Sequence, residues 1–341
     1  MQCPARSSEE QTLLFLTRRE VESLLDLDQL IEGLASAMIE LSAGRVSMPA
    51  RPVVEVAAER GARGLLAAMP VYLKSARVLA TKLVTLFPEN EARDIPTHQA
   101  AVLIFDSETG TPLAVMDGAS ITAIRTACGS ALATRHLARP EASTMAILGS
   151  GVQARAHTKA IPLVRRIERV MVWSRTPAKA KALADEIASR GIAADISASR
   201  EEALRSADIV CATTHSSEPV VAGECVAPGT HINSVGLNGR GREVDEAAVL
   251  KSSIFVESRE AALAASPSGA NDLLWPIQRG LLKCEDLTEV GEILTGRKPG
   301  RTAANQITLY KSVGVAVQDA VAAQLVLDAA RARGMGREFS L

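Results

Sequence analysis

Apolar residues recur in two different patterns along the chain, and the change of pattern near Pro140 predicts two structural units. Residues 19–43 carry apolar side chains at steps of three and four and are followed by Gly44, which predicts a helix. Extended segments follow up to residue 118, and the turn signal at 108–110 predicts a hairpin in the last of them. The first 120 residues therefore predict a mixed, largely antiparallel sheet with flanking helices.

After a long Ala-rich helix, predicted over 119–138 and stopped by Pro140, apolar strands alternate with helices. The predicted strands are 144–149, 169–174, 207–214, 231–238 and 253–258. Strands that alternate with helices at this spacing predict a parallel, doubly wound sheet. The small residues of 261–272 predict a loop, and the stretch from 303 onward predicts a long helix, interrupted near 312–314, that returns to the first unit.

The strand that ends at Gly149 leads into a glycine-rich turn, Gly149-Ser150-Gly151-Val152-Gln153-Ala154. In this GxGxxA form of the dinucleotide fingerprint, the first glycine permits a sharp turn and the second lets a pyrophosphate approach the backbone. The small third residue lets the helix lie close to the strand. Because the turn follows a strand, opens a helix and heads the alternating series, we interpret it as a dinucleotide site rather than an ordinary strand-to-helix turn.

The end of the next strand bears on the choice of cofactor. NAD enzymes usually place Asp or Glu there to bind the ribose 2′-hydroxyl, whereas a cation or hydroxyl groups accommodate a 2′-phosphate. This chain has Ser174, Arg175 and Thr176 at that point, and a guanidinium forms charge-assisted hydrogen bonds with phosphate. NADP(H) is therefore favoured and NAD(H) remains possible. The alternative for Arg175 is a solvated loop residue.

Composition narrows the classes of function. Thirty-eight Lys and Arg residues balance 39 Asp and Glu residues, and no basic block is long enough to follow a nucleic-acid backbone. The sequence shows no export signal and no run of about 18 apolar residues, so we expect no membrane span. Five scattered cysteines form no CxxC pair, which favours the cytoplasm, and five histidines lack zinc-binding spacing, so we expect no metal site.

Three basic residues are candidates for substrate chemistry. An enzyme that oxidises or reduces amino or imino acids needs a cation for the substrate carboxylate and a titratable group near the nitrogen. Arg51 and Lys82 are candidates for these tasks, and burial of Lys82 in its apolar strand would depress its pKa. Taken alone, Lys82 also fits a solubility residue on an edge strand, and Arg125 fits the surface of a helix.

Six segments resemble the ornithine cyclodeaminase and mu-crystallin family, in the same order along the chain. They are AMPVYL, TKLVTLFPEN, PTHQAAVLIFDSETGTPLAVMDGASITAIRTA, AILGSGVQARAH, HINSVGLNGRGREVD and TLYKSVGVAVQDA. This resemblance implies an α/β fold with a Rossmann doubly wound parallel sheet, expected over 125–307. It also implies an α/β substrate and dimerisation domain made from both chain ends, 1–124 and 308–341, and a homodimer.

The resemblance also implies roles for particular residues. Arg51 matches an arginine that binds the substrate carboxylate, and Lys82 matches a lysine beside the reacting carbon. Arg125 matches an arginine near the substrate and the cofactor phosphate. Further positions are implied to line the cofactor: Thr97, Thr126, Thr213, Val235, Gly236 and Ser312.

One position departs from the cyclodeaminases that this chain resembles. They carry an acid/base aspartate where this chain has Asn238, and an amide cannot exchange a proton at neutral pH. This difference favours an NADPH-dependent reductase of small α-imino acids, of the type that converts Δ1-pyrroline-2-carboxylate to L-proline. The alternatives are an alanine dehydrogenase-like enzyme, an ornithine cyclodeaminase, a hydroxyproline dehydratase and a non-catalytic NADPH-binding protein similar to mu-crystallin.

Overall fold

The computed structural model describes residues 12–57, 63–239 and 241–340, and two eight-stranded sheets form within these ranges. Strands and helices are numbered in chain order. The first sheet contains β1 (Thr12–Leu16), β2 (Val46–Ser47), β3 (Val53–Ala57), β4 (Arg63–Leu73), β5 (Val78–Leu86), β6 (His98–Phe105), β7 (Pro112–Asp117) and β16 (Arg337–Ser340). Their order is β16-β1-β7-β6-β5-β4-β2, with β3 also paired to β4. The pairs are antiparallel except for β1 and β7, as the sequence predicted for a mixed sheet.

Helices cover one face of this sheet and enclose an apolar core with it. They are α1 (Arg18–Leu24), α2 (Leu27–Ser42), α3 (Gly118–Leu137) and α11 (Ala316–Arg333). The prediction of one helix over 19–43 was wrong, because the Asp26 side chain accepts a hydrogen bond from the backbone N–H of Gln29 and so caps a second helix. The predicted hairpin is present, and the Asp106 carboxylate closes its turn by accepting from the backbone N–H of Thr109.

The second sheet is parallel throughout. It contains β8 (Thr144–Leu148), β9 (Arg169–Trp173), β10 (Ala193–Ile196), β11 (Ile209–Ala212), β12 (His231–Ser234), β13 (Ser252–Val256), β14 (Leu287–Glu289) and β15 (Ile307–Lys311), in the order β10-β9-β8-β11-β12-β15-β13-β14. The helices of this part are α4 (Val152–Ala160), α5 (Pro177–Ala188), α6 (Arg200–Arg205), α7 (Glu246–Lys251), α8 (Arg259–Ala262), α9 (Asn271–Gln278) and α10 (Val290–Leu294). Short 3₁₀ helices span Lys74–Ala76, Pro88–Arg93, Ile161–Leu163 and Cys284–Asp286. The predicted α/β class with a doubly wound parallel sheet is confirmed.

The segment 303–311 was wrongly predicted to be helical. Its residues 307–311 form β15, which lies between β12 and β13 in the second sheet. A buried parallel strand is apolar on both faces, so hydrophobic periodicity alone cannot distinguish it from a buried helix. We therefore propose a domain boundary after Lys311, so that the second domain keeps β15 and α11 returns to the first sheet.

The predicted loop at 261–272 was too long at both ends, because α8 continues to Ala262 and α9 begins at Asn271.

No helix in the described ranges combines the length and the apolar character that crossing a membrane requires. β15, the last strand of the second sheet along the chain, and α11 connect the two sheets. This connection brings the carboxyl edge of the second sheet next to the helix-covered face of the first.

Candidate active site and cofactor crevice

The carboxyl ends of the parallel strands bring the predicted cofactor segments to one edge of the second sheet. Neighbouring parallel strands end at the same edge, and a crevice for ligands forms where the strand order reverses. β8 lies between β9 and β11, so this reversal lies at the end of β8. The segments placed along the edge are 149–154 after β8, 174–176 after β9, Thr213 after β11, Val235 and Gly236 after β12, and Ser312 after β15.

The glycine turn after β8 has the geometry of a phosphate site. Gly149 has a φ of +117°, and a Cβ there would lie 2.8 Å from Thr213 Oγ1, so a side chain is excluded on two grounds. Gly151 precedes α4 and caps it without a side chain, and a Cβ at this residue would meet no heavy atom within 4 Å. The first-turn amides of α4 and the space in front of Gly151 therefore fit a pyrophosphate.

The end of β9 presents hydroxyl groups and one guanidinium. Ser174 Oγ lies 2.9 Å from Ser150 Oγ and accepts a hydrogen bond from the backbone N–H of Thr176 at 3.3 Å. The Arg175 side chain is exposed, and it forms no hydrogen bond or ion pair within the described ranges. The carboxylate that would bind a 2′-hydroxyl is missing from 174–176, and Arg175 remains available to an anion.

A buried charged network fixes the ends of β11 and β12. The Glu243 carboxylate accepts hydrogen bonds from the backbone N–H groups of Thr214 and Gly236, at 2.7 and 2.8 Å. Lys311 Nζ donates to the carbonyl oxygen of Gly236 at 2.6 Å and lies 2.9 Å from Asp272 Oδ2. The N–H and C=O groups of Gly236 are both held, so this part of the crevice edge has little freedom to move.

Lys82 lies in a buried charged cluster with Arg125 and Asp319, and this cluster is called the cationic pocket below. Lys82 belongs to β5, between β4 and β6, so the edge-strand alternative was wrong, and its side chain is only 2% exposed. Its Nζ lies 2.9 Å from each oxygen of the Asp319 carboxylate and 3.3 Å from Thr122 Oγ1. A strand residue of the first sheet thus pairs with the first turn of α11.

Arg125 shares the same carboxylate. Its Nε donates to Asp319 Oδ1 at 3.0 Å and its Nη1 donates to Gln318 Oε1 at 2.9 Å. The side chain is 5% exposed, so the alternative of a surface position on α3 was also wrong. One buried carboxylate therefore serves two cations.

Arg51 closes the pocket from the segment before β3. Its Nη2 donates to the carbonyl oxygens of Val313 at 3.3 Å and of Gly314 at 2.8 Å, in the loop that follows β15. Gly314 has a φ of +71°, and a Cβ there would lie 2.7 Å from the Arg125 guanidinium. The loop 312–314 is therefore in contact with both arginines and joins the cofactor edge to the cationic pocket.

Burial and the neighbouring charges set the protonation states in this pocket. Burial lowers the pKa of Lys82 to about 7, with a further decrease from Arg125 and Arg51, although Asp319 opposes the change. Burial by itself raises the pKa of Asp319, but Arg125 and Lys82 outweigh it and the net shift is downward. Burial and then Lys82 lower the pKa of His98 to about 4. At neutral pH the carboxylate is charged, the imidazole is neutral and Lys82 is near its midpoint.

The predicted residues Thr126, Thr97 and Asn238 lie in three different parts of the fold. Thr126 is buried and its Oγ1 donates to the carbonyl oxygen of Thr122 at 2.7 Å, whereas Thr97 is exposed just before β6. The Asn238 side chain donates to the carbonyl oxygen of His215 at 3.4 Å, and its own carbonyl oxygen accepts from Asn271 Nδ2 at 3.1 Å. These contacts place Asn238 in the loop beyond β12.

Sequence reasoning did not identify Asp319, which organises the pocket, nor the supporting residues Gln318 and Glu243. One signal was available for the first two, since Gln318 and Asp319 are adjacent polar residues in an otherwise small, apolar segment of α11. Both are fully buried, and buried polar groups need partners. The partners of Asp319 are 194 and 237 residues away in sequence, so the signal could not name them.

We expect Lys82 to titrate near pH 7 in the folded protein. In protein labelled with ¹³C at lysine Cε, one NMR resonance should have its midpoint near this pH and should be missing in Lys82→Met. Asp319→Asn should move the midpoint lower, because the carboxylate stabilises the ammonium form. A Lys82 midpoint near the ordinary lysine value of about 10.4 in the wild type would contradict the assignment of a dry pocket.

Comparison with known proteins agrees with this architecture. A profile of the ornithine cyclodeaminase/mu-crystallin family matches residues 11–334. The chain is 37% identical to a Δ1-pyrroline-2-carboxylate reductase of Bacillus cereus, over 96% of this chain and 99% of the relative.

Two solved structures share the fold. One is the Δ1-pyrroline-2-carboxylate reductase of Thermococcus litoralis in complex with NADH and L-proline, with 38% identity, a TM-score of 0.90 and coverage of 95% of this chain and 99% of that chain. The other is an archaeal alanine dehydrogenase dimer with bound NAD, with 32% identity, a TM-score of 0.88 and coverage of 97% and 99%. The fold of these structures agrees with the parallel sheet and glycine turn found here. Because the family profile matches nearly the whole length, the chain, with its buried lysine in a cationic pocket, belongs to the ornithine cyclodeaminase/mu-crystallin family.

Proposed function

We propose that this protein is an NADPH-dependent reductase of small cyclic α-imino acids, of the type that converts Δ1-pyrroline-2-carboxylate to L-proline. The observation that carries the proposal is the burial of Lys82 and Arg125 around the Asp319 carboxylate beside the cofactor edge, and this burial lowers the pKa of Lys82 to about 7. The relatives named above are two Δ1-pyrroline-2-carboxylate reductases and an alanine dehydrogenase, and the chain is an oxidoreductase that acts on C–N bonds with a nicotinamide cofactor.

The crevice residues fit a dinucleotide. In this proposal the amides of 149–154 bind the pyrophosphate, and Ser174, Arg175 and Thr176 bind the adenosine ribose with its 2′-phosphate. A second group of residues lines the nicotinamide half: Thr97, Thr126, Thr213, Val235, Gly236 and Ser312. When bound, the reduced cofactor supplies the hydride that the C=N carbon accepts.

Arginines bind the substrate carboxylate. Arg51 uses Nη2 for the carbonyl oxygens of 313–314, which leaves its other N–H groups for a carboxylate, and the planar guanidinium suits such a two-oxygen ligand. Arg125 adds positive charge to the same pocket, and Asp319 keeps it in place. The substrate is thereby oriented with its C=N bond beside Lys82.

Lys82 donates a proton to the imine nitrogen in this proposal. An imine accepts hydride more readily when its nitrogen is protonated, and an ammonium group with a pKa near 7 can supply that proton at neutral pH. The reaction transfers one hydride to the carbon and one proton from Lys82 to the nitrogen of the C=N bond. Lys82 then regains a proton from solvent. Asn238 can form hydrogen bonds with a ligand but has no acid/base capacity at this pH, and this supports a reductase over a cyclodeaminase.

A second candidate is an alanine dehydrogenase-like reaction, in which the imine forms from pyruvate and ammonia. The likeness to the archaeal alanine dehydrogenase favours it. The same arginines and lysine would serve both reactions, so the two functions are distinguished by the size of the substrate that the enzyme reduces faster. Binding of NADPH without turnover, cyclodeamination of ornithine and dehydration of hydroxyproline are the other outcomes of the assay below.

We also propose a homodimer. The first sheet carries exposed apolar side chains, 39 to 63% accessible, at Val54, Leu66 and Leu83 of three neighbouring strands. Such a patch is typical of a protein interface. The archaeal neighbour that covers nearly the same length is described as a dimer.

Activity can be followed by the absorbance of NADPH with Δ1-pyrroline-2-carboxylate as substrate. We expect turnover that falls by at least ~100-fold in Lys82→Met, because the proton donor is lost. Pyruvate with ammonia should be reduced more slowly. Ammonia release from ornithine without added cofactor, dehydration of hydroxyproline, or tight NADPH binding with no turnover would each overturn the proposal.

Gly151→Ala separates cofactor binding from stability. The residue has an extended backbone conformation that alanine adopts, and its Cβ would meet nothing in the protein, so we expect an unchanged Tm without nucleotide. The methyl group would occupy the position proposed for the pyrophosphate, so the Kd for NADPH should rise by ~10-fold or more. Equal affinity of wild type and variant, measured by nucleotide fluorescence, would contradict the phosphate site.

Arg175→Ala tests the choice of cofactor. Loss of the guanidinium should lower kcat/KM for NADPH by ~10-fold or more and leave that for NADH within ~3-fold, because only NADPH carries the 2′-phosphate. Arg169→Ala is the matched control, since Arg169 is an exposed arginine at the opposite end of β9. A wild-type preference for NADH, or equal losses with both nucleotides, would argue against the role of Arg175.

A further inference from the structure

The loop 312–314 is held from its buried side by the carboxylate of Glu257. Glu257 follows β13 directly, next to β15 in the second sheet, and it is completely buried. Its carboxylate accepts hydrogen bonds from Ser312 Oγ and from the backbone N–H groups of Val313 and Gly314, the latter two at 3.3 and 3.2 Å. Three consecutive residues are thus tied to one side chain.

Burial of this charge is costly unless it is compensated. Within the described ranges, Glu257 forms no ion pair with a Lys or Arg side chain, so hydrogen bonds from the loop stabilise it. The hydroxyl of Tyr310 belongs to the same cluster, and burial followed by the charge of Glu257 raises the pKa of that phenol well above its usual range. An apolar residue would fill this space at lower cost if the position only needed packing.

The opposite side of the same loop faces Arg51. The carbonyl oxygens of Val313 and Gly314 accept from Arg51 Nη2, while the N–H groups of these residues point to Glu257. The peptide group between Val313 and Gly314 thus has a positive charge at its C=O side and a negative charge at its N–H side. Both charges polarise it in the same sense, so each hydrogen bond strengthens the other. The charge of Glu257 also favours the protonated form of Arg51 and opposes the lowering of its pKa by burial.

We propose that Glu257 is a positioning residue that acts through the peptide groups of Val313 and Gly314 on Arg51, and thereby sets the affinity of the site for the substrate carboxylate. This inference rests on the proposed function. Glu257 touches neither substrate nor cofactor in this scheme. It fixes the loop that orients the arginine, and the loop also limits the position of Arg125 through Gly314.

Glu257→Gln tests this role with two substrates. The amide removes the charge, and its NH₂ group would face a backbone N–H that needs an acceptor. For Δ1-pyrroline-2-carboxylate we expect KM to rise by ~10-fold or more with kcat within ~3-fold, as for loss of uniform binding. For Δ1-pyrroline, which has the C=N bond but no carboxylate, kcat/KM should stay within ~3-fold of the wild-type value. Equal losses on both substrates, or a loss confined to kcat, would overturn the proposal.

Glu289→Gln is the matched control. Glu289 ends β14, the strand next to β13, and its carboxylate accepts from the backbone N–H of Arg259 rather than from the loop 312–314. The kinetic constants of the Glu289→Gln variant should match those of the wild type. If Glu257→Gln fails to fold, Glu257→Asp can replace it, because aspartate keeps the charge on a shorter side chain. Its KM for Δ1-pyrroline-2-carboxylate should rise by a smaller factor, and its kcat/KM for Δ1-pyrroline should again stay near the wild-type value.

A double-mutant cycle with Arg51→Lys gives an independent readout. If Glu257 acts through Arg51, Glu257→Gln should change KM by less than ~3-fold once Arg51 has been replaced, because the loss is already complete. Full additivity of the two effects would show that Glu257 acts by another route. Absence of wild-type turnover on the imino acid would instead contradict the proposed function, so the two failures can be told apart.

Discussion

The carboxylate of Asp319 is shared by Lys82 and Arg125 in a part of the protein from which water is excluded. Two cations at such close range repel each other and lose hydration, and an anion between them offsets both costs. Asp319 supplies that anion from α11, a helix that begins just after the last strand of the second sheet. The pairing therefore fixes three elements at once: β5, α3 and α11.

This arrangement explains why β15 and α11 cross between the two sheets. β15 ends at the cofactor edge, the loop 312–314 follows, and α11 then runs over the first sheet. Each part of this short stretch serves a different component of the site: Ser312 lies at the crevice edge, the carbonyl oxygens of the loop bind Arg51, and Asp319 binds the lysine. A rigid connection of this kind gives the proposed hydride acceptor a fixed position relative to the nucleotide edge.

The parallel sheet and the glycine turn were predictable because their signals are local. Strand, turn and helix are contiguous at 144–160, and the requirement for glycine at position 149 follows from one positive φ. The strand at 307–311 was not predictable, since a strand buried on both faces carries no alternation that separates it from a helix. The break at Asp26 was missed for a related reason, because the apolar steps continue across it while a capping side chain decides where the helix begins.

The sequence by itself determined the α/β class, the position of the dinucleotide turn and the identity of Arg51, Lys82 and Arg125 as the basic residues to consider. The resemblance of its segments to a known family implies that Asn238 stands where the cyclodeaminases carry an acid/base aspartate. Only the tertiary structure decided that Lys82 and Arg125 are buried around one carboxylate, and that Glu257 and Arg51 hold opposite sides of one loop. These pairings join residues up to 263 positions apart, and the protonation of each group depends on which charges the fold brings within a few ångströms.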